Sequence, residues 1–145
     1  MLVSQILKDK SIQETLRVAP GTTVGAAAIL LSEKKIGGVL VADSSGGLPF
    51  GIVTERDIVR ELGKRGAVCL DDKVDDIMTR DLITCEPGDR AIRVLQVMTE
   101  KRFRHMPVMD GDRLVGLVSI GDVVKARLDE LGAQAEALKN MIMGY

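Results

Sequence analysis

Two short segments set a hydroxyl three residues ahead of a carboxylate: Thr54-Glu-Arg-Asp57 and Ser119-Ile-Gly-Asp122. Each follows a short apolar run opened by glycine, Gly51-Ile-Val53 and Gly116-Leu-Val118, and each leads into a helical pattern, so each sits where a strand passes into a helix. At such a junction the hydroxyl is a good helix cap, and the acid falls in the first turn, where the helix dipole favours negative charge. The same placement can also do chemistry. A helix N-terminus with N–H groups and a hydroxyl holds a phosphate, and a fixed carboxylate is the usual partner for the paired hydroxyls of a ribose. Because the junction occurs twice in one chain, the two together describe a nucleotide pocket.

What positions them is also written twice. Lys34–Asp43 (KKIGGVLVAD) and Lys101–Asp110 (KRFRHMPVMD) align at a constant offset of 67 residues, which extends back to Pro20-Gly21 on Pro87-Gly88 and Ser32-Glu33 on Thr99-Glu100. After a loop shorter by two residues the offset becomes 65, and Gly51–Arg60 pairs with Gly116–Lys125. A repeat of about 60 residues is too short to bury a good core alone, so the copies are expected to pack into one domain with function in the clefts between them.

Each copy reads as helix, strand, strand, helix. In the first, Thr22 or Thr23 caps a helix carrying Val24, Ala27, Ala28 and Leu31, strands follow at Val39–Val41 and Gly51–Val53, and Glu55–Leu62 opens the second helix. In the second, Asp89 caps a helix to about Lys101, Pro107–Met109 and Leu114–Val118 are strands, and a helix starts near Gly121. A strand candidate precedes each first helix, at Leu16–Val18 and Leu82–Cys85, and Ala67–Lys73 reads as a short connector that keeps the copies in contact. The last helix, to Met143, outruns its counterpart and carries Val123, Ala126, Leu131, Ala135, Leu138 and Ile142 at roughly helical spacing. That stripe suggests burial against a second chain, or a fold back onto its own domain.

Composition narrows the function. With 145 residues, 46% hydrophobic and 28% charged, the chain has the balance of one soluble domain. Two Phe, one Tyr and no Trp leave the core to aliphatic residues and almost no platform for stacking bases, and a net charge of −1 exerts no long-range pull on phosphate backbones. DNA and RNA are therefore not expected partners. Cys69 and Cys85 form no C-x-x-C pair, and a single histidine leaves no zinc set, so no metal is expected. The N-terminus MLVSQILKDK lacks a basic segment followed by an apolar one, and no run approaches a membrane span, so the reading is cytoplasmic with no membrane partner. No G-x-S-x-G, P-loop or H-E-x-x-H is present, which counts against an enzyme.

The doubled pattern, a small or basic segment before a strand (IGGVLV, RFRHMPV) and then G-h-h-T/S-x-x-D with h hydrophobic, resembles the CBS domain pair, or Bateman module, over roughly Val3–Leu128. RFRHMPV followed by GLVSIGDVVKARL is similar to the small stand-alone bacterial CBS-pair proteins. The resemblance implies an α/β (α+β) fold with repeats at 1–66 and 67–128, each a small three-stranded sheet and two helices, packed as a quasi-two-fold pair, and a C-terminal helix extension at 129–145. It implies a regulatory module without catalysis that binds an adenosine-containing nucleotide, AMP, ATP or NAD foremost. Carried onto this sequence, a first cleft takes Thr54, Arg56 and Asp57 with Ile83, Thr84, Arg104, His105 and Met106, and a second takes Ser119 and Asp122 with Leu16, Arg17, Gly37 and Gly38. Charge separates the two. The first gathers Arg56, Arg104 and His105, enough to hold a phosphate, whereas the second has Gly121 and Gly37-Gly38 at the corresponding positions and only Arg17 as a cation. The first is expected to be the principal site. A homodimer and an unidentified protein target are the implied partners, and the alternative is a ligand-independent dimerisation scaffold.

Overall fold

The computed structural model describes residues 1–9 and 16–144. Helix α2 (Val24–Lys34) begins where Thr23 caps it, the hydroxyl accepting the Ala26 N–H at 3.1 Å. It ends on Lys35 in the left-handed region, φ 54°. Its counterpart α5 (Ala91–Lys101) ends the same way on Arg102, φ 59°, so the repeat extends to backbone conformation. The start of α5 differs from the sequence expectation. Arg90, with no capping side chain, stands at its N-cap, because the Asp89 carboxylate turns back to accept the Glu86 N–H at 2.8 Å.

In the first copy, β1 (Arg17–Val18) pairs in parallel with β2 (Gly38–Val41), which pairs antiparallel with β3 (Gly51–Thr54). In the second, β4 (His105–Asp110) and β5 (Arg113–Ser119) form a two-stranded antiparallel sheet. The strand expected at Leu82–Cys85 contracts to a single parallel bridge, Cys85 to Val108. The closing helices are α3 (Glu55–Arg65) and α6 (Ile120–Met143), and the connector coils into a 3-10 helix at Gly66–Asp71.

Two short helices went unread in the sequence, α1 (Val3–Asp9) and α4 (Val74–Ile77). They are counterparts. The Val3 N–H donates to the Asp89 carbonyl at 2.9 Å and the Val74 N–H to the Thr22 carbonyl at 2.8 Å, and Asp89 and Thr22 are themselves equivalent. Each therefore enters the other copy. The core of Val24, Ala27, Leu31, Val39, Val41, Val53 and Ile58 is completed by Val74, Ile77 and Met78, while that of Ala91, Val94, Met98, Met106, Val108, Val118, Val123 and Ala126 is completed by Val3 and Ile6. Burying these apolar faces against the opposite copy is what joins two units too small to stand apart. Thr79 extends the exchange, donating to and accepting from Ile52 at 2.9 and 3.0 Å along the edge of β3.

The expected apolar stripe of the last helix divides. Val123 and Ala126 enter the second core, whereas Leu131, Leu138 and Ile142 are exposed. Among the described residues, nothing buries this end of the helix against its own domain. No helix among the described residues is long and apolar enough to cross a membrane.

Candidate functional site

Both motifs sit at the strand-to-helix junctions that their sequence indicates. Thr54 caps α3, its hydroxyl accepting the Asp57 N–H at 3.3 Å, while Asp57 Oδ2 accepts the Thr54 N–H at 2.9 Å and the Thr54 hydroxyl at 3.0 Å. Ser119 and Asp122 repeat this reciprocal box at the start of α6, at 3.1 and 2.9 Å. Such boxes satisfy backbone donors that a helix start leaves unpaired. The local role is thus real in both copies, and in both a further first-turn donor is taken: the Glu55 N–H bonds the Gly37 carbonyl at 2.9 Å, and the Ile120 N–H bonds the Arg104 carbonyl at 2.8 Å. The helix starts therefore carry fewer open donors than the sequence suggested.

Asp57 differs from every other acid described. It is buried, 6% exposed, and its Oδ1 accepts from the Arg60 guanidinium at 3.0 Å. A carboxylate offers roughly four acceptor positions. Three are used here by Thr54 and Arg60, and Arg60 is itself half exposed and able to swing into solvent.

What joins the copies at this level is His105. Its ring lies on the backbone of Gly37 and Gly38: a Cβ on Gly38 would meet the ring at 3.2 Å, and one on Gly37 would meet it at 3.4 Å with the Glu55 carboxylate at 3.6 Å. A side chain at Gly38 would press the imidazole and make it give by a few tenths of an ångström, whereas one at Gly37 would come into ordinary contact with it. Gly38 is the cross-strand partner of Thr54, and His105 is the cross-strand partner of Ser119. The His105–Gly38 contact therefore brings together the strand ends that carry the two motifs, and residues that the sequence divided between two clefts share one seam.

The remaining predicted residues fall in three environments. Arg56, Thr84, Arg104 and Arg17 are exposed, as is Ile83, while Leu16 is half-buried at the edge of the first sheet, its carbonyl accepting the Leu40 N–H at 3.2 Å. Arg17 is within electrostatic reach of Asp43, whose carboxyl is held below its usual range first by hydrogen bonds from Ser45 and then by the Arg17 charge. Met106 is 1% exposed and belongs to the second core. A groove of about 520 Å³ between the end of α2 and the start of α3, floored by Leu31, Ile36 and Ile58, reaches the seam through Gly37 and Glu55. Residues that the sequence reading left out of the site, Glu55 and Arg60, are thus the near neighbours of His105 and Asp57; their signal was proximity to the motif, which is also the signature of an ordinary helix face.

Nucleophiles are poorly placed. Burial pushes the Cys85 thiol up to about 12, with the charges of Asp89 and Glu86 adding to the effect, and its sulfur lies 3.8 Å from the Pro107 carbonyl. A thiol held in its neutral form is a weak nucleophile.

Residues 5–64 and 74–129 both match the CBS domain. The chain belongs to the CBS-domain family. The mitochondrial CBS domain-containing protein CBSX3 of Arabidopsis thaliana is 42% identical over 96 residues, 65% of this chain, and the match spans about half (47%) of that protein. Among solved structures, the CBS-domain containing protein ATU1752 of Agrobacterium tumefaciens superposes with a TM-score of 0.81 at 39% identity, covering 88% of this chain and 99% of that one. The CBS domain pair of the protein MJ0100, solved with 5′-methylthioadenosine and S-adenosyl-L-methionine, superposes with a TM-score of 0.77 at 25% identity over 90% of this chain and 98% of its own. The CBS pair is a regulatory module, and in this chain its two copies meet at the His105–Gly38 seam.

Proposed function

We propose that this CBS pair is a non-catalytic regulatory module that binds an adenosine-containing nucleotide, AMP, ATP or NAD, at the inter-repeat seam and works in the cytoplasm as a homodimer read by a protein target. The observation that carries the reading is the convergence of Thr54-x-x-Asp57 and Ser119-x-x-Asp122 on one contact, His105 against Gly38. The MJ0100 pair, held with two adenosyl compounds, supports the ligand class. The first cleft is the principal one. Asp57 takes the ribose diol once Arg60 swings away, and the exposed Arg56 and Arg104 offer cations to the phosphate. Non-catalysis is supported by the engagement of both motif hydroxyls in helix caps and by the neutral, buried Cys85.

A panel of AMP, ADP, ATP, NAD, NADH, S-adenosylmethionine and adenosine in a thermal-shift assay tests this. A ligand at about 100 times its Kd stabilises by about 2.7 kcal/mol. Arg104→Ala should weaken AMP by roughly 1.5 to 3 kcal/mol while leaving adenosine nearly unchanged, because only a phosphate gains from the guanidinium. If no adenosyl compound shifts the melt, the nucleotide reading fails, and the second reading, a ligand-independent dimerisation scaffold favoured by the exposed stripe of α6, takes its place.

A further inference from the structure

Among the described residues, helix α6 is anchored only at its start. Its last buried residue is Ala126, and the N-terminal amine of Met1 and the Arg127 guanidinium both reach Glu130, after which the helix runs on to Met143 without a buried residue. That is more than three turns of helix with no buried side chain among the described residues, a length that is marginal in water by itself. One face of it is ordered in sequence. Val124, Leu128, Leu131, Ala135, Leu138 and Ile142 recur at alternating steps of four and three, the spacing of a coiled-coil seam, with Leu128, Ala135 and Ile142 on one row and Val124, Leu131 and Leu138 on the other. All six side chains are exposed, Leu131 at 49%, Leu138 at 58% and Ile142 at 77%.

The charges beside the seam select its occupant. The flanking positions are Lys125, Gly132 and Lys139 on one side and Arg127, Gln134 and Met141 on the other. In a parallel, in-register pair, Arg127 comes opposite Gly132 of the second copy and Gln134 opposite Lys139, so no like charges meet across the interface. An antiparallel pair with the same layers sets Lys125 opposite Lys139 twice. The only charges flanking the seam are cations, but each has an acid one turn away, Asp129 for Lys125, Glu130 for Arg127 in an ion pair, and Glu136 for Lys139, so the rim is neutralised within its own helix and the segment lacks the net positive charge of a helix built for an anionic surface or partner.

We infer that the seam Val124–Ile142 of α6 pairs in parallel with the same helix of a second copy, forming a two-stranded coiled coil that holds the homodimer. The inference rests on the homodimer reading and adds the surface and its polarity. In this arrangement each seam residue faces its own counterpart, Leu131 on Leu131 and Leu138 on Leu138, and the layers of Leu138 and Ile142 carry the leucine and β-branched combination that favours two strands.

The full chain and Leu138→Glu are compared by sedimentation equilibrium over a range of micromolar concentrations, and Leu138→Cys is run on a non-reducing gel after air oxidation. The wild type should sediment at twice the 15.7 kDa chain mass, and Leu138→Glu should raise the dissociation constant at least tenfold. Leu138→Cys should give a covalent dimer that reductant dissolves, because facing residues of a parallel seam lie within disulfide reach. Both substitutions are at an exposed site, so the nucleotide-dependent thermal shift of the wild type should survive in each. A monomeric wild type overturns the inference together with the homodimer reading and leaves the seam to another partner. A wild-type dimer indifferent to Leu138→Glu overturns the inference alone, placing the interface elsewhere, and absence of the Leu138→Cys cross-link overturns the parallel pairing.

Discussion

At the scale of single residues, Asp57 is both the capping acid of α3 and the carboxylate we propose for the ribose. The acid three residues after a capping hydroxyl was legible from the sequence, as was its use in a helix cap. Its near-complete burial and its pairing with Arg60 were not, because i,i+3 charges on a helix are common and say nothing about depth. Burial changes the expected cost of removing it. Asp57→Ala strips the Thr54 N–H of its acceptor and ends the capping box, which should cost about 1 to 2 kcal/mol, above the few tenths of a first-turn acid alone. The Arg60 pair adds little, since Arg60 is half exposed and the pair is screened. Asp57→Ala should also abolish most adenosyl binding, while Asp122→Ala, in the cleft with fewer cations, should reduce it less. Thermal melts and calorimetry of the two variants separate these effects, and equal loss of binding from both would show that the clefts are not ranked by charge. His105 is the residue the sequence described least well. Its seat on Gly37-Gly38 depends on an approach between copies that one-dimensional spacing does not contain.

Among the elements, the strands and long helices were readable because each carries an uninterrupted pattern and a cap, and the repeat supplied each one twice. The short helices α1 and α4 escaped for the opposite reason. They span seven and four residues, and they align with each other at an offset of 71, matching only as Val3 and Ile6 on Val74 and Ile77. Their imprint survives instead at a pair of equivalent glycines. A Cβ on Gly51 would meet the Met78 sulfur at 2.6 Å and the Thr79 carbonyl oxygen at 2.8 Å, and one on Gly116 would meet Leu7 Cδ2 at 2.6 Å. The obstacles differ in kind. Thr79 is tied to Ile52 by two backbone hydrogen bonds and cannot yield, whereas the tip of Leu7 can rotate. Gly51→Ala should therefore destabilise by about 2 to 3 kcal/mol, and Gly116→Ala by about 1 kcal/mol or less, in urea titrations of the two variants. Equal costs would mean that both contacts relax alike and that the edge pairing of Thr79 with Ile52 is not rigid.

For the molecule as a whole, the boundary at 66/67 follows the repeat, but the packing crosses it twice. Val74, Ile77 and Met78 complete the core of the first copy from beyond that boundary, and Val3 and Ile6 complete the core of the second from before it. A cut there removes three large apolar side chains from one core and two from the other, each contributing about 1.5 to 3 kcal/mol when buried. The edge of β3 also loses its bonds to Thr79. Small domains have a net stability of only about 5 to 15 kcal/mol, and a half of this size buries too little surface to absorb such losses. Separate fragments 1–66 and 67–145 should thus each show no cooperative thermal transition by circular dichroism, and an equimolar mixture should regain helix signal and a single melt near that of the intact chain. The intact chain should unfold in one step, because neither core is complete without residues from the other half. A cooperative melt of 1–66 alone would mean that its own seven core residues suffice and that the exchanged helices decorate two independent units. Recovery on mixing would instead make the His105–Gly38 seam a product of folding itself, so that the two motifs meet only when both copies have exchanged their leading helices.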